Sequence, residues 1–354
     1  MRTPSLPESC APDLPEAAPA HPADTPSPPA NAPIALTMGD ASGIGPEIVL
    51  RFLATQTLAA RADFCVYGDL AILQREANHL DLRAALDGVR IENCSQLPKD
   101  LAYARVDARA GAAAAAAITR AAEDALQGRV RGLVTAPIHK AAFAAAGIPY
   151  PGHTELLGAL AGTTEVRMML ANDELRTVLV TIHLALRDAI AALSQERVFK
   201  TICITASALQ RAGLPTARIA VAGLNPHAGE GGLFGREEIE TITPAIAQAR
   251  AHGIDASGPW APDTVFMRAR GFREFDAVVA MVHDHGLIPI KYLGLDAGVN
   301  ATLGLPFVRT SPDHGTAFDI AGRGCADPRS FSAAVQMAAA LTPTVAAPTR
   351  SEPA

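Results

Sequence analysis

The chain has 354 residues, a formal net charge of -6, 49% apolar residues and only 5% aromatic ones. That length allows one large or two medium domains with a sizeable Ala/Leu/Val-rich core. The acidic balance argues against a general nucleic-acid binder, which needs a basic face, and no apolar run reaches the roughly 18 residues of a membrane-spanning helix. Five cysteines, Cys10, Cys65, Cys94, Cys203 and Cys325, are odd in number and lack CxxC spacing. They read as reduced thiols of a cytoplasmic protein.

Residues 1–32 hold nine prolines among Ala, Ser and Asp. They are expected to be a disordered extension, with no apolar segment fit for a secretion signal. Residues 342–354 read the same way. The stretch from Pro33 to Met38 predicts a strand, which runs into Gly39-Asp40-Ala41-Ser42-Gly43-Ile44-Gly45-Pro46-Glu47 and then a helix through about Leu58. Pro46 suits the first turn of that helix, where a missing N–H removes no bond. The glycines match neither GxGxxG nor GxxxxGK[ST]; a phosphate cradle and a tight turn for backbone geometry alone are both open.

A second strand is expected at Asp63–Tyr67, a helix from about Leu70, and another over the alanine-rich Gly111–Leu126. Val130–Thr135 is the next strand and ends at Ala136-Pro137-Ile138-His139-Lys140. Strands alternate with helices throughout, which predicts a mainly parallel sheet with helices on both faces. In the loop before the next helix, His153 and Thr154 adjoin; taken alone, Thr154 reads as a helix cap rather than a ligand.

The β-branched segment Thr177–Ile182 delivers His183, Arg218–Leu224 leads to His227, and Ala277–Val282 delivers His283. One histidine at a strand end is usually a core or cap residue. Three in the same place of a repeated pattern point to one crevice at the carboxyl ends of a sheet, and three imidazoles with an open position suit a catalytic divalent metal. His285 would face the other way if the strand continued, so it is expected to be no ligand or to lie in the loop. Asp263 reads as an N-cap or a substrate contact. His79 and His252 read as surface structural residues. After His283 come Lys291, Asn300, Arg309, Asp313 and His314, with strand-like Leu303–Val308 between them; this density implies an anionic substrate.

These motifs together resemble the 4-hydroxythreonine-4-phosphate dehydrogenase family of pyridoxal-phosphate biosynthesis over about Ile34 to Ala340. The resemblance rests on GIGPE at Gly43–Glu47, His139-Lys140, GHTE at Gly152–Glu155, the IHLALRD that carries His183, LNPHAGEGG at Leu224–Gly232, HDHG at His283–Gly286, and LGLPFVRTSPDHGTAFDIAGRG at Leu303–Gly324. It implies the two-domain α/β/α fold of isocitrate and isopropylmalate dehydrogenases, with subdomains 33–150 plus 300–341 and 151–299 inside a catalytic region 33–341. It further implies a divalent metal (zinc, magnesium or cobalt) on His183, His227 and His283 from both subunits of a homodimer. Substrate-binding positions would be His153, Thr154, Lys291, Asn300 and Arg309. NAD or NADP is the implied oxidant, with no cofactor-binding residue assigned.

Two departures bear on the substrate: His285 stands where the family has glutamine, and GDASGIGPE stands for GEPAGIGPE. The implied reaction oxidises 4-phosphohydroxy-L-threonine to a β-keto acid that decarboxylates to 3-amino-2-oxopropyl phosphate. Paralogues act on 4-phospho-D-threonate, 4-phospho-D-erythronate or a cyclic diol dicarboxylate. His153, Asp263 and Lys291 are the catalytic candidates, the first two for proton handling. Readings of other classes are a metal-dependent phosphatase or hydrolase that uses the same histidines, and a catalytically silent anion binder.

Overall fold

The computed structural model describes residues 28–29, 31–294 and 298–342. The expected N-terminal extension and C-terminal tail lie almost wholly outside them. The described strands are β1 (Ile34–Thr37), β2 (Phe64–Gly68), β3 (Arg90–Asn93), β4 (Gly132–Thr135), β5 (Arg167–Ala171), β6 (Arg176–Leu179), β7 (Ile219–Ala222), β8 (Ala256–Trp260), β9 (Ala277–Ala280), β10 (Val299–Leu303) and β11 (Val308–Pro312). The helices are α1 (Gly45–Thr55), α2 (Leu70–His79), α3 (Ala108–Leu126), α4 (Lys140–Ala145), α5 (His153–Leu160), α6 (Leu186–Ala191), α7 (Gln195–Arg211), α8 (Thr243–Ala251), α9 (Val265–Ala269), α10 (His283–Leu293) and α11 (Arg329–Leu341). All eleven strands join one mixed sheet in the order β3-β2-β1-β4-β11-β10-β5-β6-β9-β7-β8.

The sheet is mainly parallel, as expected, with parallel pairs on both flanks and a reversal at the centre. There the pairs β11-β10, β10-β5 and β5-β6 are antiparallel. The reason is the length of two connections. Between β5 and β6 lies a tight turn in which Asn172 Oδ1 accepts hydrogen bonds from the N–H groups of Glu174 and Leu175. Between β10 and β11 only residues 304–307 remain, so Leu303–Val308 is a hairpin turn and not a strand. Loops this short cannot make the crossover that parallel neighbours require. As a result β1 to β5 and β11 run one way, and β6 to β10 run the other.

Helices cover both faces. Ile48 and Leu53 of α1 pack with Phe331 of α11, while Ile118 of α3 packs with Phe143 and Leu157 on the opposite side. In the second half, Val198 and Ile202 of α7 meet Ile246 of α8, and Leu287 and Ile290 of α10 meet Val265 of α9. Each such fully buried side chain contributes about 2 kcal/mol. Pro46 does sit in the first turn of α1. Among the described cysteines, Cys65, Cys94, Cys203 and Cys325 are free thiols; Cys10 lies outside the described residues. No described helix is long and apolar enough to cross a membrane.

Candidate active site

Strands β6, β9 and β7 are parallel neighbours, so their carboxyl ends share one edge of the sheet. All three leave the ladder a few residues before the histidine they were expected to deliver. His183 and His283 face each other with ring centroids 5.7 Å apart. With Thr181, Val282 and His285 they line a cavity of about 270 Å³. His283 opens α10, and its Nδ1 lies 2.7 Å from Asp284 Oδ1, which orients the ring and leaves Nε2 free to face the cavity. His227 lines an adjoining cavity of about 340 Å³ with Asp263, Pro262 and, again, His285.

His285 is therefore neither a strand residue nor a loop residue. Helix α10 begins at His283, and the first turn of the helix turns His285 into the wall between the two cavities. Its Nδ1 is buried without a hydrogen-bond partner among the described residues. Burial lowers its pKa, against a smaller opposing pull from Asp284.

Two of the three histidines ride on left-handed backbone, His183 at φ 49° and His227 at φ 53°. His227 begins a run of five such residues through Gly231. For an L-residue that conformation costs roughly 1–2 kcal/mol, so something must hold it. The holder is Glu238, 3% exposed, whose Oε1 accepts from Leu224 N at 2.8 Å and from Asn225 N at 2.7 Å. A side chain at Gly229 would put its Cβ 2.7 Å from Glu238 Oε2, so Gly229 of LNPHAGEGG lets this carboxylate approach. Neither GxGxxG matching nor histidine counting pointed to Glu238; Glu237, Glu238 and Glu240 follow the glycine run together, and sequence does not separate the buried one.

Around Arg309 a second group assembles. The guanidinium is 4% exposed and donates to Thr135 Oγ1 at 2.7 Å and Thr302 Oγ1 at 3.1 Å. Burial pushes its pKa down to about 10, with Glu155 pulling the other way. His153, the first residue of α5, is held well below the ordinary imidazole value by burial and by the charge of Arg309, and its buried Nε2 has no partner among the described residues. Thr154 follows it inside the helix; Gly152, not Thr154, occupies the cap position. Asp263 is no cap either, since Thr264 precedes α9.

Lys291 and Asn300 form a third group. Lys291 Nζ pairs with Asp313 Oδ2 at 2.8 Å, and Asn300 stands opposite Ser311 in the ladder. Lys291 is eight residues along α10 from His283, about 12 Å away, and sits at the end of β11, which is the opposite edge from the histidines. His183 lies beyond β6, three strand spacings or about 14 Å from the β11 position of Arg309. By these spacings the three groups stand apart along the sheet. Among the described residues no group of three or more His, Cys, Asp or Glu side chains could hold a metal ion.

The family model of the pyridoxal phosphate biosynthetic protein PdxA matches residues 58–338. A 4-hydroxythreonine-4-phosphate dehydrogenase of Beijerinckia indica subsp. indica is 53% identical over 322 residues, covering 87% of this chain and 95% of the relative. A D-threonate 4-phosphate dehydrogenase of Cupriavidus necator is 46% identical, covering 87% of this chain and 96% of the relative. The crystal structure of a 4-hydroxythreonine-4-phosphate dehydrogenase of Klebsiella pneumoniae is similar with a TM-score of 0.80 at 42% identity, covering 88% of this chain and 100% of that one. Matched over most of its own length and over nearly the whole of these relatives, the chain belongs to the pyridoxal phosphate biosynthetic protein PdxA family and is a dehydrogenase.

Proposed function

We propose that this chain oxidises 4-phosphohydroxy-L-threonine with NAD or NADP in the cytoplasm, giving a β-keto acid that loses carbon dioxide to form 3-amino-2-oxopropyl phosphate. The observation that carries the reading is the facing pair His183 and His283 in a chain 53% identical to a relative named for that substrate. The donor chemistry of His183, His227 and His283 fits a divalent ion such as zinc, magnesium or cobalt, which a second subunit is expected to help bind. When bound, such an ion would supply positive charge to stabilise negative charge on the alcohol oxygen.

In the reaction a hydride leaves the secondary-alcohol carbon for the nicotinamide ring, and the hydroxyl proton goes to a base. Carbon dioxide then departs, and the electron pair left behind takes up a proton. His153 suits proton handling because its buried seat beside Arg309 keeps it uncharged; Asp263 suits it because it shares a cavity with His227. Arg309 and Lys291 are the cations for phosphate and carboxylate, with the planar fork of Arg309 matching either anion. Thr154 and Asn300 supply uncharged hydrogen bonds. Assembling these groups around one substrate requires a homodimer.

A second reading, oxidation of 4-phospho-D-threonate or 4-phospho-D-erythronate, is favoured by the 46% identical relative named D-threonate 4-phosphate dehydrogenase. Steady-state formation of reduced nicotinamide with each substrate and each cofactor decides between the two. The amino substrate is expected to give the highest kcat/KM; turnover of the hydroxy acids alone selects the second reading, and phosphate release without cofactor reduction overturns both.

A further inference from the structure

His285 touches both cavities of the histidine edge. It lines one with His183 and His283 and the other with His227 and Asp263, so a ligand that spans them passes its ring. Its Nδ1 is buried with no partner among the described residues, although its neighbours His283 and Lys291 on the same helix both have one. A buried polar nitrogen without a hydrogen bond is unfavourable; Nδ1 is the enclosed atom, and it is the rest of the ring, with Nε2, that lines the two cavities. The inference rests on the proposed function and deepens it. Of the polar groups on that substrate, the phosphate and carboxylate need cations, and the oxidised hydroxyl belongs to the histidine triad. The substituent next to the carboxylate is the group in which the two candidate substrates differ.

We propose that His285 is the specificity-determining residue for that substituent, contacting an amine in one substrate class and a hydroxyl in the other. The two differ in what they offer a ring nitrogen. A hydroxyl donates and accepts, whereas an ammonium only donates, so a ring N–H directed at the substituent completes a hydrogen bond with the hydroxyl and none with the ammonium. A site built around such a bond discriminates more strongly than a shape-matched pocket does.

The test compares kcat/KM for 4-phosphohydroxy-L-threonine and 4-phospho-D-threonate in the wild-type chain, His285→Ala and His285→Gln. In His285→Ala the ratio of the two values is expected to change by about tenfold or more, with bound metal per chain unchanged; His285→Gln, which keeps a donor and an acceptor, is expected to fall between. A ratio within about twofold of wild type in both variants, which is what a structural role predicts by lowering both substrates alike, overturns the proposal. Loss of bound metal in both variants also overturns it, by making His285 a ligand. A wild-type chain that turns over neither substrate sinks the function on which the proposal stands, and that outcome is distinct from the other two.

Discussion

Glu238 accepts hydrogen bonds from both nitrogens of Asn225, the backbone N–H at 2.7 Å and Nδ2 at 2.9 Å. It thereby locks the residue that begins the turn to His227. Its own helix starts with a π-type turn over Glu238–Ile242, the irregularity that lets a carboxylate reach back under the loop. The pKa of Glu238 is lowered: burial opposes the charge, but the bonds from Asn225 and Leu224 outweigh it.

Removing this carboxylate leaves buried N–H groups without acceptors. Glu238→Ala is therefore expected to destabilise the chain by roughly 3 kcal/mol, read by urea denaturation. Glu238→Gln retains one acceptor but turns an N–H toward Asn225 Nδ2, and should lose less. If the left-handed run is held from here, metal binding weakens in Glu238→Gln even at temperatures where the fold is intact. Unchanged metal affinity in a folded Glu238→Gln protein would remove the role.

His153 gives a pH signature whose sign is fixed by its environment. Burial and Arg309 place its folded pKa below the ordinary 6.5, so below 6.5 the unfolded chain binds more protons than the folded one. Stability attributable to His153 is then present above 6.5 and is lost as the pH falls toward the folded value. Melting temperature measured against pH should decline on the acid side less steeply in His153→Gln than in wild type. Parallel curves would contradict the neutral assignment.

Arg309 is a buried cation whose hydrogen-bond partners are hydroxyls, not carboxylates. Charges buried this way are poor contributors to stability. Arg309→Met should leave the unfolding free energy within about 1 kcal/mol of wild type or raise it, while lowering kcat/KM at least about 100-fold. A variant that unfolds instead would mean that Arg309 is a structural post.

Much of this was legible in the residues themselves. Strand ends at His183, His227 and His283 follow from β-branched runs that stop at polar residues, and one edge gathers them because β6, β9 and β7 are parallel. The reversal at the centre of the sheet was not legible. It depends on an Asn172 turn and a four-residue hairpin, which look like any other Gly/Asn loop until pairing is known. Lys291 and Asn300 lie at the far edge because α10 runs back from His283 before β10 begins, so residues that lie within thirty positions in sequence end up apart. His285 was not legible because the residues after His283 read as a continued strand or a loop, whereas α10 begins at His283 itself. Asp263 and Thr154 were offered as caps because their residue types cap helices, yet Thr264 and Gly152 hold those positions.

Distance within one chain makes the shared site testable. The Arg309 guanidinium is tied to Thr135 on β4, while His183 lies three strand spacings from β11, about 14 Å. A four-carbon phosphate ester reaches only about 8 Å. A substrate that touches both is expected to draw them from different subunits. His183→Ala and Arg309→Met should each be inactive alone. A heterodimer of the two, purified through separate tags after co-expression, has one site with both lesions and one with neither, and should recover about half of the wild-type activity. A heterodimer as inactive as its parents would assign both residues to the same subunit's site, and an active monomer by sedimentation would remove the need for a partner.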